Sequence, residues 1–163
     1  MKRSTFPWQD ERRREDLHQI CTSILTDIHE NCATMGIAPK LRGFEKIGAV
    51  WTMVIMDDLG EEYKTLNNND LPVGTREHMR AGLDELHRAH FVHGDLRGVN
   101  ILVRQGCSKP GVILVDFDWA GVIGKVRYPA NVNKVDFWRP DGASDGMLIQ
   151  PEHDIAMSER MFR

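Results

Sequence analysis

The sequence predicts a mixed α+β domain, and three observations carry that reading. Two segments repeat apolar residues at helical spacing. Short strand-like runs lie between and after them. Two aspartate-centred strings, His93-Gly94-Asp95-Leu96-Arg97-Gly98-Val99-Asn100 and Asp116-Phe117-Asp118, each stand beside one of those runs.

Residues 1–10, with Pro7 and Trp8, read as a flexible arm. From 11 to 35 the chain is polar, with apolar beads at Leu17, Ile20, Ile24, Leu25 and Ile28 that fit one helix face. Gly36 is placed to end that helix in a left-handed turn, and Pro39 follows closely. Leu41–Val50 is a weak strand candidate. Trp51–Met56 is compact and apolar, which suits a buried strand. Residues 60–74, with Asn67-Asn68-Asn69-Asp70 and Pro72, read as a loop. Thr75 to His90 is a second helix, with Thr75 as its cap and Met79, Leu83, Leu86 and His90 on one face. Phe91-Val92 leads into the first motif. Ile101–Val103 and Val112–Val115 form a hairpin around a Gly/Ser/Pro turn at 105–111. Beyond Asp118 the chain is loop-like until a short helix near Glu152-His153-Asp154.

The totals narrow the class. The chain of 163 residues, 41% hydrophobic, is long enough for one domain with its own core, and residues 1–163 are read as a single unit. A net charge of −3 and a pI near 6.2 imply no nucleic-acid or membrane partner. Cys21, Cys32 and Cys107 are scattered and odd in number, as expected of reduced thiols in the cytoplasm or nucleus. The N-terminus lacks the apolar run of a signal peptide, and no apolar stretch approaches the ~20 residues of a membrane span.

The two motifs follow the patterns H-x-D-L-x-x-x-N and D-F-x that protein kinases carry in the catalytic loop and at the metal-binding turn. Over residues 24–162 the order of elements resembles the middle of a protein kinase. The strings HGDLRGVNIL, VDFDWAG, VRYPANVN and WRPDGASDG are similar to those of truncated kinase-like proteins of mushroom-forming fungi. The resemblance implies a truncated protein-kinase-like fold, with a partial small lobe lacking the Gly-rich loop and a reduced large lobe. It also implies an ATP and Mg²⁺ phosphotransfer centre. In that centre Asp95 is the base for the acceptor hydroxyl, and Asn100 and Asp116 are the magnesium ligands. Arg97 stands near the γ-phosphate, His93 braces the loop, and Asp154 bonds the catalytic-loop backbone. Hard oxygen donors suit Mg²⁺, and phosphoryl transfer needs positioning and charge more than covalent help.

Departures from the pattern set the alternatives. Gly94 replaces an arginine on which an activating phosphate would dock. Arg97 replaces a lysine. Asp118 replaces the Gly of D-F-G and adds a carboxylate beside the metal position. The sequence holds no G-x-G-x-x-G and no V-A-I-K-like strand. Between Glu15 and Pro39 there is neither lysine nor arginine, and Gln19 falls near the strand lysine's place. Glu30 is the candidate helix glutamate, without a partner in sequence. A catalytically dead pseudokinase, acting as a protein-binding module or oligomer, is therefore the second expectation; its partner would cover the surfaces of the missing lobe parts. His87, His90 and His93 read as helix-end and loop-bracing residues rather than a metal set. Arg12-Arg13-Arg14 reads as a solvated helix start, and Trp119 and Trp138 as packing anchors.

Overall fold

A computed structural model describes residues 23–47, 51–67, 71–106 and 110–163. The arm at 1–10, the first half of the predicted first helix with Gln19 and Cys21, and Cys107 lie outside the described residues.

Helix α1 spans Ser23–Thr34. Ile28 and Cys32, one turn apart, are fully buried and form its inner stripe. Gly36 takes a φ of 74°, and the Ile37 N–H reaches back to the Cys32 carbonyl at 2.9 Å, closing the helix end. Strands β1 (Leu41–Ile47) and β2 (Trp51–Met56) form an antiparallel hairpin, from Leu41 opposite Met56 to Ile47 opposite Trp51. Here the expectation of a buried strand fails. Met53, Val54, Ile55 and Met56 are all 36–44% exposed. Among the described residues the hairpin is a two-stranded sheet, so no third strand continues it and nothing seals its apolar residues.

The predicted loop at 60–74 contains a strand, β3 (Tyr63–Thr65), paired antiparallel to the later strand Ile101–Arg104. Its three residues, Tyr-Lys-Thr, are partly to fully exposed at a sheet edge, so they carry no apolar alternation to betray them. Helix α2 (Thr75–Arg88) buries Met79, Gly82, Leu83 and Leu86. Its N-cap is Gly74, at φ 86°, and not Thr75. Thr75 is the first helical residue, and its hydroxyl donates to the Pro72 carbonyl at 2.6 Å, tying the incoming loop instead of the helix amides. The helix stops two residues short of His90, which sits in the turn at φ 66°.

Strand β4 (Phe91–Val92) pairs with β7 (Gly121–Val122), so the apparent loop beyond Asp118 also starts with a strand. Between them run a 3₁₀ turn at Gly98–Asn100 and the hairpin of β5 (Ile101–Arg104) and β6 (Val112–Leu114). Helix α3 (Pro151–Met161) opens with Pro at its first position and a reciprocal cap between Gln150 and His153. Among the described residues no helix is long and apolar enough to cross a membrane.

The core has two parts. The larger joins α1 and α2 to the β5–β6 hairpin through Ile28, Leu83, Leu86, Ile101 and Leu114, with Phe117 and Met157. The smaller holds Val92, Tyr128, Val132, Ala143 and Ile149 beneath the long loop. Leu96 belongs to the first and Val92 to the second, so residues 93–95 are anchored at both ends.

Candidate active site

Residues 93–97 have no regular secondary structure, so their backbone N–H groups need partners from elsewhere. Asp154, fully buried on α3, supplies them. Its Oδ2 accepts the His93 N–H at 2.8 Å and its Oδ1 accepts the Gly94 N–H at 2.8 Å. His87 of α2 approaches the same carboxylate at 3.1 Å through Nε2. Two helices and the loop therefore meet on one carboxylate.

His93 is fully buried, and its Nε2 lies 3.2 Å from the Val115 carbonyl, just before Asp116. Burial holds its pKa below the usual histidine value, against the opposing pull of Asp154, so the ring is a neutral brace. Phe117 packs between two imidazoles, with ring centroids 5.2 Å from His93 and 4.9 Å from His29 on α1. This column connects α1 to both motifs.

Gly94 explains the missing arginine. Its φ is 82°, and a Cβ there would lie 2.7 Å from Ile149 Cδ1 and 3.2 Å from the Trp119 carbonyl oxygen. The backbone and the space both exclude a side chain.

Asp95 is nearly enclosed, 3% exposed. Asn100, also buried, donates its amide to the Asp95 carbonyl at 2.9 Å and to Asp95 Oδ2 at 3.1 Å. Arg97 donates to the same oxygen through Nε at 3.0 Å and Nη2 at 2.6 Å. The other oxygen, Oδ1, accepts from Arg139 Nη2 at 2.5 Å. Arg139 is 2% exposed in its side chain and stacks over Trp119, its Cζ 4.9 Å from the ring. Sequence reasoning missed Arg139: it lies 44 residues from Asp95, in a loop whose local pattern marks it only as polar. Arg97, expected beside a phosphate, instead pairs with Asp95 and lies 4.8 Å from the Phe137 ring.

Asp116 has φ 64°, a left-handed turn that lifts its carboxylate out to solvent while Phe117 goes into the core. The Val115 N–H bonds the Asn100 carbonyl at 3.0 Å, fastening the turn to the 93–100 loop. Asp118 is exposed, and partial burial together with Asp116 and Asp95 pushes its carboxyl above the usual range. Among the described residues no three His, Cys, Asp or Glu side chains gather into a metal-holding group. The donor set that fits Mg²⁺ is smaller. Asn100 spends its amide nitrogen on Asp95, which leaves Oδ1 as a hard donor, and Asp116 offers an exposed carboxylate. Glu30 is exposed on α1 and makes no ion pair among the described residues.

No protein-family model matches the chain, and no curated protein does. Among solved structures it is similar to the kinase PK-1 of the Cydia pomonella granulovirus, at a TM-score of 0.60 and 16% identity. The match covers 86% of this chain and 55% of the viral one, so the chain spans about half of that kinase's length. The fold is protein-kinase-like.

Proposed function

We propose that the chain is an atypical or remnant phosphotransferase related to the truncated kinase-like proteins of fungi. Asp95 acts as the base toward an acceptor hydroxyl. Asn100 and Asp116 hold Mg²⁺, which when bound supplies charge neutralisation for the phosphates of ATP. One observation supports this most: Asn100 fixes Asp95 through its amide nitrogen and keeps its oxygen free, while Asp116 turns outward beside it. An ancestral motif kept only for loop bracing has no need of an exposed, left-handed Asp116, which costs about 1 kcal/mol or more for a non-glycine residue. The similarity to a viral kinase agrees with the reading at the level of fold. Isothermal titration with ATP and Mg²⁺ is expected to show metal-dependent heat. No heat at millimolar nucleotide, with folded protein, rejects the proposal.

A second reading, a pseudokinase used as a binding module or oligomer in cytoplasm or nucleus, draws on the exposed Met53–Met56 strip. Light scattering and pull-down separate the two. A monodisperse monomer without a partner counts against the binding module.

A further inference from the structure

Two consecutive aromatic side chains each carry a cation. The Arg97 guanidinium stands over the Phe137 ring, 4.8 Å from its centroid, and that of Arg160 on α3 stands 5.6 Å from the Trp138 ring. Such a contact engages the face of a guanidinium and spends none of its N–H donors. Arg160 is exposed and in no ion pair among the described residues. Arg97 gives Nε and Nη2 to Asp95, while its Nη1 carries no bond among the described residues. Both arginines therefore keep donors for a newcomer, of a kind that matches a carboxylate or sulfonate.

All four side chains line one cleft of about 300 Å³, at the small end of the range for small-molecule sites. Its floor is preformed. Leu96 and Met157, each 2% exposed, belong to the larger core, and Met161 packs against it. Phe137 and Trp138 are 37% and 49% exposed, so apolar wall is left uncovered among the described residues. No carboxylate is among the described residues that line the cleft, in a chain whose net charge is −3. A second cleft, between α2 and α3, shows the balanced case. There Arg76 and Arg80 meet Glu77, Asp84 and Glu159, and Arg80 is paired with Asp84 at 2.9 Å. An apolar floor beneath uncompensated cations selects one chemistry. An inorganic anion would leave the apolar walls wet, an uncharged hydrocarbon would leave the cations unmatched, and a cation would be repelled.

We propose that this cleft binds a small organic anion, a carboxylate or sulfonate on an aromatic or aliphatic body. The charge sits at Arg160 and Arg97, and the body lies against Leu96, Met157 and Met161. The site does not depend on the phosphotransfer reading. Fluorescence titration with 1-anilinonaphthalene-8-sulfonate tests it, beside N-phenyl-1-naphthylamine, which has the same rings without the sulfonate. The sulfonate probe should bind the wild-type chain about tenfold more tightly than the neutral one. Arg160→Glu should erase that preference, and Arg160→Lys should keep the affinity within about threefold of wild type. Trp138→Ala should weaken both probes several-fold. Arg160 and Trp138 are exposed, so these variants leave the core intact. Ile55→Lys alters the separate apolar strip of β2 and should leave the affinity for the sulfonate probe unchanged. Equal affinity of the wild-type chain for the two probes, wild-type affinity in Arg160→Glu, or a loss confined to Ile55→Lys overturns the site. So does displacement of the probe by inorganic sulfate at matched concentration, because charge alone would then suffice.

Discussion

Asp154→Ala removes the one acceptor that holds the first two amides of the 93–97 loop. The wild-type carboxylate is fully buried and accepts the His93 and Gly94 N–H groups at 2.8 Å each, with His87 Nε2 at 3.1 Å. An alanine leaves two amides unpaired, and each unpaired buried donor costs roughly 1–3 kcal/mol. Water entering the vacated space recovers part of that, so a loss of about 3 kcal/mol is expected. For a chain of this length each kcal/mol moves the melting temperature by about 2–4 °C, which gives a drop of about 6–12 °C. Asp154→Asn keeps one oxygen acceptor but turns an NH₂ toward the other amide, so it should fall between wild type and alanine. Thermal melts followed by circular dichroism measure both. Amide exchange adds a local readout, since the His93 and Gly94 N–H groups should lose protection before the rest of the core. An alanine variant that melts within about 2 °C of wild type, with those amides still protected, refutes the keystone role of Asp154.

Gly94→Ala should destabilise by about 1–3 kcal/mol in urea unfolding, because it sets a Cβ 2.7 Å from Ile149 Cδ1 at a φ of 82°. Cys32 is fully buried, and burial pushes its thiol up to about 12; mass mapping should find it unlabelled by a thiol reagent in native protein and labelled in denaturant. His153 has its pKa lowered by burial, so the unfolded chain takes up the proton first as pH falls through about 6.5. Stability should therefore be full above that pH and decline toward pH 5, and His153→Gln should flatten the decline in pH-dependent melts. If the phosphotransfer reading holds, Asp95→Asn should abolish turnover with nucleotide affinity nearly intact. Asp116→Ala should remove the metal-dependent part of nucleotide binding, measured by titration.

Features that were legible in sequence share a short range. The α2 stripe of Met79, Leu83 and Leu86, the β5–β6 hairpin and the Gly36 turn each declare themselves within a short stretch of chain, by period or by turn chemistry. The 93–100 loop stood out because its residues are contiguous and fit one known motif. Features that escaped depend on distant or missing partners. Strand β3 is three polar residues whose strand character comes wholly from pairing with β5, some 40 residues later. Trp51–Met56 has the composition of a buried strand, yet burial is a property of the neighbour, and the hairpin has none on that face among the described residues.

The same distinction governs the site. From the string around Asp95 one expects a base flanked by one arginine, with the carboxylate free toward its acceptor. The folded chain adds a second guanidinium from 44 residues away, and that addition changes what the carboxylate can do. With Arg97 and Arg139 both bonded, Asp95 carries two cations against its single charge, three donors on Oδ2 and one on Oδ1. Asn100 and Asp116 differ: among the described residues Asn100 Oδ1 carries no bond, and Asp116 stands in solvent. The Asp95 carboxylate is thus engaged, whereas Asn100 Oδ1 and the Asp116 carboxylate are not, among the described residues. If the phosphotransfer reading holds, nucleotide binding and acceptor access should respond independently to substitution, with Asp116 controlling the first and the arginine partners of Asp95 the second.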